Sequence, residues 1–370
     1  DVGNTTRLAL RESDFHTAAS RAHDQIKRTG SNGAVMRVAP VGVMGVARGA
    51  EWTRRVAYEQ GVLTHFDPIA SWCAAVVAEF VRRVSVDGYS SESFVGLTDF
   101  VEEPYRSQID SAIARTDLPM SGGNGGALVC VAHAFWAFHQ GSTFAEVVQK
   151  AINLGDDTDT VAAVAGAIAG ARFGIQGIPS RWTTYLNGVV TQPDGTEKRY
   201  VYRDLQDLAH KLLGRNLKRE TTPEPVIDPK MVHDLGVWAT NLLGAQQSDS
   251  SMALVSMCRT YGRMDTHPVR REVYMIDNNA RNANLEHAVW DAVDSIDAFL
   301  AEGRQVIVHC HGGRSRTGLV LKAWYMKRFN ASHRDAISWI ESIWPHYVEW
   351  TDDFLMLLDA YELRTNASNT

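Results

Sequence analysis

Cys310 and Arg316 stand six positions apart in His309-Cys310-His311-Gly312-Gly313-Arg314-Ser315-Arg316-Thr317-Gly318, directly after Val306-Ile307-Val308. The β-branched residues predict a short buried strand, the paired glycines a turn, and residues 318–329 an amphipathic helix. A thiol would then sit where strand meets helix, in a volume into which turn and helix N–H groups point. Thiolate and phosphate are both favoured in such a field. Arg316 has the planar fork to hold two phosphoryl oxygens. Thr317 offers a hydroxyl to the sulfur, and His311, Gly312, Gly313, Arg314 and Ser315 would line the phosphate. Cysteine and arginine at this spacing are weak evidence alone; the strand before, the glycines and the helix after are what decide it.

Displacement at phosphorus also needs a proton donor for the leaving oxygen. Asp277 closes the apolar run 274–276 and precedes the loop-like Asn278-Asn279-Ala280-Arg281-Asn282-Ala283-Asn284. Asp291, Asp294 and Asp297 compete for the role. They recur every three residues opposite the stripe Leu285, Val289, Val293, Ile296 and Leu300, and are expected to form a solvated helix face. HCHGGRSRTG resembles the signature loop of the cysteine-dependent protein phosphatases, closest to the dual-specificity group. That resemblance implies a cysteinyl-phosphate intermediate hydrolysed by water, without a metal. The spacing of Asp277 upstream of Cys310 is similar to that group's pattern. His311 and Arg314 either face solvent or point inward; pointing inward, they would suit a polyanionic substrate such as a nucleotide or ADP-ribose phosphate.

A second chemical stretch is Asp156-Asp157-Thr158-Asp159-Thr160, leading into the small-residue run 161–171. A helix cap with acidic first-turn residues explains one or two of these side chains. Three adjacent carboxylates repel unless a cation offsets them, and such hard oxygens select Mg²⁺, Mn²⁺ or Ca²⁺. Ala163, Gly166, Ala167 and Gly170 are expected to let this helix pack deep, burying the base of the acidic cluster.

NLGDDTDTVAAVAGAIAGARFG, with GSNGAVMRVAPVGV, LTHFDP and IPSRW in order, resembles the ADP-ribosyl-glycohydrolase family over residues 1 to about 214. The resemblance implies an all-α fold that removes ADP-ribose from modified side chains. It implies that Asp157, Asp159 and Thr160 are metal ligands for Mg²⁺ or Mn²⁺, that Ser31, Asn32 and Gly33 hold the diphosphate and ribose, and that His65 lies on the substrate side. Asp156 stands where many members carry a second glycine. Taken alone, Ser31-Asn32-Gly33 would be an ordinary turn. The family's opening Gly-Asp-Ala-Leu-Gly and Thr-Asp-Asp-Thr do not occur before Asn4-Thr5-Thr6. The expectation is an N-terminally incomplete domain that binds metal weakly.

These two sites need two domains, and 370 residues suffice for two cores. Helical spacing runs through the first half, at 17–27, 50–60, 68–84, 107–115, 126–139, 143–153 and 160–173. That half is expected to be all-α. Residues 215–229, polar and proline-bearing, predict a linker. Beyond them, strands at 236–239, 252–257, 272–276 and 306–308 alternate with helices at 285–301, 318–329, 333–344 and 352–363. This predicts an α/β domain around a central, mainly parallel sheet over 230–370. A net charge of -6 gives no basic footprint for nucleic acid and no polybasic run for a membrane surface. Cys73, Cys130 and Cys258 lie in apolar runs and read as core, and four unpaired cysteines suit a reducing cytoplasm. The expected partners are a phosphorylated protein or small-molecule phosphate, and ADP-ribose or an ADP-ribosylated protein.

Overall fold

The computed structural model describes residues 2–115, 122–215 and 224–368, so part of the expected linker, residues 216–223, lies outside the described residues. The chain divides into two units, Asp1–Gly174 with Arg203–Leu217, and Ile175–Tyr202 with Lys218–Thr370. Residues 175–202 are therefore part of the second unit, although the motif IPSRW that they carry belongs to the first family resemblance.

The first unit is helical. Its central helix, Pro68–Asp87, starts on Asp67, whose side chain accepts from Ile69 N, with Pro68 in the first turn. Small and apolar residues run from Ile69 to Val81 with few breaks, so this stretch is buried on nearly every side. Phe80 meets Phe135 and Phe138 edge-on at 5.2 and 5.5 Å, locking it to the helix Ala127–Gln140. Glu79, wholly buried, is offset by Arg54, Arg82 and Arg83. In the helix Thr158–Phe173 the buried stripe is Val161, Val164, Ala165, Ile168 and Ala169. This corrects the expected packing face: Ala163 is exposed, and so are Asp156 and Asp159. The face that carries Val161, Val164 and Ile168 buries more apolar area and takes the interior, with Ala165 and Ala169 on it.

The second unit contains two departures from the expected pattern. Asn187–Thr191 (β1) and Glu197–Val201 (β2) form an exposed antiparallel hairpin where no strand was predicted. Its turn chemistry builds it rather than burial: Asp194 accepts from Thr196, and Gly195 takes φ +82°. The main sheet is mixed. Lys230–His233 (β3), Val237–Asn241 (β4), Ala253–Ser256 (β5), Arg270–Glu272 (β6) and Val306–Cys310 (β7) lie in the order β3-β4-β7-β5-β6. The pairs β4–β7, β7–β5 and β5–β6 are parallel, whereas β3, too short and polar to be read as a strand, pairs antiparallel with β4. β7 is central and buried on both faces, which its continuous apolar run demands. Val306, Val308 and Cys310 face the core shared with the helices Leu285–Ala301 and Ser315–Phe329, and Ile307 faces Leu242 and Ala245 of the helix Leu242–Gln247.

Candidate active sites

β7 ends on Cys310, and its register with β4 and β5 brings the thiol to the carboxyl edge of the sheet, where loops from parallel strands meet. Cys310 is 2 % exposed. His309 before it is wholly buried and bonds through Nε2 to Ser256 Oγ on β5 at 2.7 Å. Burial, reinforced by the Arg316 charge, pushes its imidazole down to about 4. It is neutral at pH 7.

The turn after Cys310 is tied from two sides. Leu242 N donates to His311 O at 3.2 Å, and Trp344 Nε1 donates to Gly313 O at 2.8 Å. Gly313 takes φ +68°, and a Cβ there would lie 2.8 Å from Thr240 O, so only glycine fits. His311 and Gly312 are half-buried. Arg314, half-buried, faces Glu224 at 3.1 Å, a carboxylate the sequence reading did not connect with it. Ser315 lies within 3.5 Å of Glu349, which also holds the wholly buried Lys322 at 2.7 Å. Gly318 passes beneath the Tyr347 ring, where a Cβ would overlap it.

Arg316, 6 % exposed, donates through Nη1 to Met257 O at 3.1 Å and Met275 O at 3.2 Å; its Nε lies 3.7 Å from Asp277 Oδ2. Arg316, on the turn that Cys310 opens, is thus set beside Asp277. Thr317 Oγ1 is buried and lacks a hydrogen-bond partner among the described residues, a group that normally has one. Asp277 Oδ1 accepts from Trp350 Nε1 at 3.0 Å and Thr351 Oγ1 at 3.1 Å. Nothing local in the sequence marks a partner more than seventy positions away. Asp291 and Asp297 are not a bare solvated face: they accept from Ser180 N at 2.9 Å and Trp324 Nε1 at 3.0 Å.

In the first unit, Asn32, buried, donates through Nδ2 to Asp157 Oδ2 at 2.7 Å and Asn124 O at 2.9 Å. Asn124, also buried, accepts from Asp157 N at 2.8 Å and donates to Gly155 O at 2.9 Å. Sequence reasoning missed Asn124; its only signal was the run Gly122-Gly123-Asn124-Gly125-Gly126. Asp156 takes φ +61°, a conformation glycine adopts freely and aspartate tolerates. Ser31 Oγ bonds His65 Nε2 at 3.0 Å and Thr5 Oγ1 at 3.1 Å, while His65 Nδ1 meets Thr64 Oγ1 at 2.8 Å. Burial, then the Arg37 charge, pushes His65 down to about 4. Gly33 lies so close to His65 that a Cβ would come within 3.2 Å of its ring.

Burial acts to raise the Asp157 carboxyl, but hydrogen bonds led by Asn32 and followed by Thr160 and Asp159 outweigh it, and the net shift is downward. Asp157, Asp159 and Thr160 stand together at the start of the helix Thr158–Phe173, with Asp159 exposed and the Thr160 hydroxyl 3.8 Å from Met36 Sδ. Their oxygens make an incomplete set for a two-ion centre: one Asp157 oxygen already accepts an amide, and among the described residues no three His, Cys, Asp or Glu side chains gather as a metal would require.

The helical unit and the strand–cysteine–turn–helix of the second unit match two families of hydrolases. The sequence profile described as ADP-ribosylglycohydrolase covers residues 1–222, and that described as dual specificity phosphatase, catalytic domain, covers 246–362. The chain belongs to the ADP-ribosylglycohydrolase family, with a dual-specificity phosphatase domain following in the same chain. It is 29% identical over 191 residues to the ADP-ribosylarginine hydrolase Tri1 of Serratia proteamaculans (strain 568), covering 50% of each chain. It is 29% identical over 89 residues to a probable tyrosine-protein phosphatase of Candida albicans (strain WO-1), covering 24% of this chain and 15% of that one. A solved ADP-ribosylglycohydrolase-related protein complex is similar at a TM-score of 0.45 and 25% identity, covering 58% of this chain and 70% of that one. The chain spans about half the length of the glycohydrolases it matches first. Among the described residues, no helix is long and apolar enough to cross a membrane.

Proposed function

We propose that residues 230–370 act as a cysteine-dependent phosphomonoesterase of the protein-tyrosine or dual-specificity type, and that residues 1–214 recognise ADP-ribose, with 215–229 between them. The observation that supports the phosphatase is Arg316, fixed by two carbonyls beside Asp277 on the turn that Cys310 opens. The Cys310 thiolate attacks phosphorus, the S–P bond forms, and the bond to the leaving oxygen breaks as protonated Asp277 gives that oxygen its proton. Arg316 and the N–H groups of 311–316 hold the phosphoryl oxygens. The Thr317 hydroxyl, buried beside them, is a donor for the sulfur. Water then attacks phosphorus, Asp277 takes up its proton, and inorganic phosphate leaves as the S–P bond breaks.

The test is hydrolysis of a generic aryl phosphate by this chain and by Cys310→Ser, with EDTA throughout. Activity that survives chelation and disappears in Cys310→Ser is the expected result. Activity persisting in Cys310→Ser refutes the assignment.

For the first domain, the Asn32–Asp157 bond favours recognition over turnover, because it occupies an oxygen that a two-ion hydrolase would need. Ser31, Asn32, Gly33 and His65 would border the ADP-ribose. The alternative is a bifunctional hydrolase that binds Mg²⁺ or Mn²⁺ weakly at Asp157, Asp159 and Thr160. Calorimetry with ADP-ribose separates the two: binding equal with and without Mg²⁺, and no ADP-ribose released from a modified protein, fits the reader. Phosphorylated and ADP-ribosylated proteins in a reducing cytoplasm are the partners this reading implies, with no membrane and no nucleic acid required.

A further inference from the structure

The loop that carries Asp277 is fastened by a residue from far upstream. Gln176, 5 % exposed, comes three positions after the helix Thr158–Phe173 and lies inside the glycohydrolase match. Its Nε2 donates to Tyr274 O at 3.3 Å and Asn282 Oδ1 at 2.7 Å, and its Oε1 accepts from Asn284 N at 2.9 Å. Its own carbonyl accepts from His287 Nδ1 at 2.7 Å. Asn282 passes the constraint on: its Oδ1 also accepts from Ile276 N at 2.8 Å, and its Nδ2 donates to Ile276 O at 2.8 Å. Ile276 is the residue before Asp277.

The neighbouring contacts point the same way. Ser180 N donates to Asp291 on the helix Leu285–Ala301, which begins where the loop ends. Glu272 N donates to Thr184 Oγ1, and the Tyr185 hydroxyl bonds to the backbone of Arg270, so the segment also lies along β6, the edge strand that leads into the loop. A loop rich in asparagine, with little apolar burial of its own, depends on polar contacts to hold one conformation; Trp350, Thr351 and Asp353 grip residues 277–280, and Gln176 grips the flanks at Tyr274, Asn282 and Asn284. A buried side-chain amide with donor and acceptor both engaged supplies such contacts.

We propose that Gln176 is a positioning residue for proton donation by Asp277, so that phosphoryl transfer in the second domain depends on a segment outside its own family match. The proposal rests on the reading of Asp277 as general acid and Cys310 as nucleophile. A residue that serves only the proton donor matters for poor leaving groups and is dispensable for good ones. General acid–base assistance is typically worth about 100-fold or more, and partial misplacement forfeits part of it.

The experiment compares kcat/KM for phenyl phosphate and for 2,4-dinitrophenyl phosphate in the full chain, in Gln176→Leu and in Gln176→Glu. The Gln176→Glu side chain keeps shape and the acceptor for Asn284 N but loses both donor bonds. Both variants are expected to lose about tenfold or more on phenyl phosphate and to stay within about twofold on the dinitrophenyl ester, the same pattern as Asp277→Asn. The dinitrophenyl activity shows in the same sample that the variant is folded. Equal losses on both substrates, or no loss on either, would overturn the proposal. If Cys310→Ser retains the dinitrophenyl activity, the phosphatase reading fails instead.

Discussion

His309 is a proton trap that only unfolding opens. In the folded chain its ring is wholly buried, one nitrogen bonds Ser256, and burial with the Arg316 charge holds it down to about 4. In the unfolded chain it titrates near the ordinary histidine value of about 6.5. Between those values the unfolded state binds a proton that the folded state does not, so stability rises with pH across the window. The contribution is fully present above about 6.5 and is lost as pH falls toward about 4. The loss amounts to about 2 kcal/mol at pH 5 and approaches about 3 kcal/mol at lower pH. Urea unfolding of the full chain and of His309→Gln, each at pH 7 and pH 5, isolates it, because His65 titrates in both proteins and cancels. The wild-type chain should lose about 2 kcal/mol more than the variant between the two pH values. Equal losses would mean that His309 already carries a proton in the folded state, and the argument from its burial would be refuted.

Two other substitutions probe the supports behind each site. Glu349→Gln leaves the Lys322 ammonium wholly buried without its carboxylate and should cost about 3–5 kcal/mol of stability, read as a lower urea midpoint; an unchanged midpoint would mean that Lys322 is not charged there. Asn124→Ala strands Asp157 N and Gly155 O, at about 1–3 kcal/mol for each group left buried and unpaired, and should weaken ADP-ribose binding by calorimetry even where the domain stays folded.

What could be read in advance was whatever the chain encodes locally. The strand, turn and helix around Cys310 are consecutive, and the helix Leu285–Ala301 shows its apolar stripe in every turn, so periodicity located it to the residue. The helix Ser315–Phe329 begins three residues earlier than the sequence suggests, because Ser315 and Arg316 are polar yet buried. Periodicity reads side-chain polarity, and it misplaces residues whose polarity is satisfied inside. The strand Lys230–His233 escaped for the opposite reason: its register comes from β4 rather than from its own four residues. Partners such as Gln176 and Trp350 carry no local signature at all, and Asn124 only the glycines on either side of it. A glutamine that holds a loop 98 residues away through Tyr274 O looks in the sequence like any polar residue after a helix.

Those unread residues share a chemical character that bears on how the two sites work. Asn32, Asn124, Gln176 and Asn282 are neutral amides, each a donor or acceptor to backbone or side chain at a loop that carries a charged functional candidate. A neutral amide neither titrates near pH 7 nor is screened by salt, so the geometry it imposes survives conditions that weaken ion pairs. Arg316 is held in a similar way: its Nη1 donates to two carbonyls within 3.2 Å, and its Nε lies 3.7 Å from the Asp277 carboxylate. The guanidinium is therefore fixed in place by backbone, and Asp277 is kept beside it by Trp350, Thr351 and the Asn282 relay. A frame built from neutral groups thus holds the loop of Asp277 and the side chain of Arg316 by contacts that added salt does not weaken.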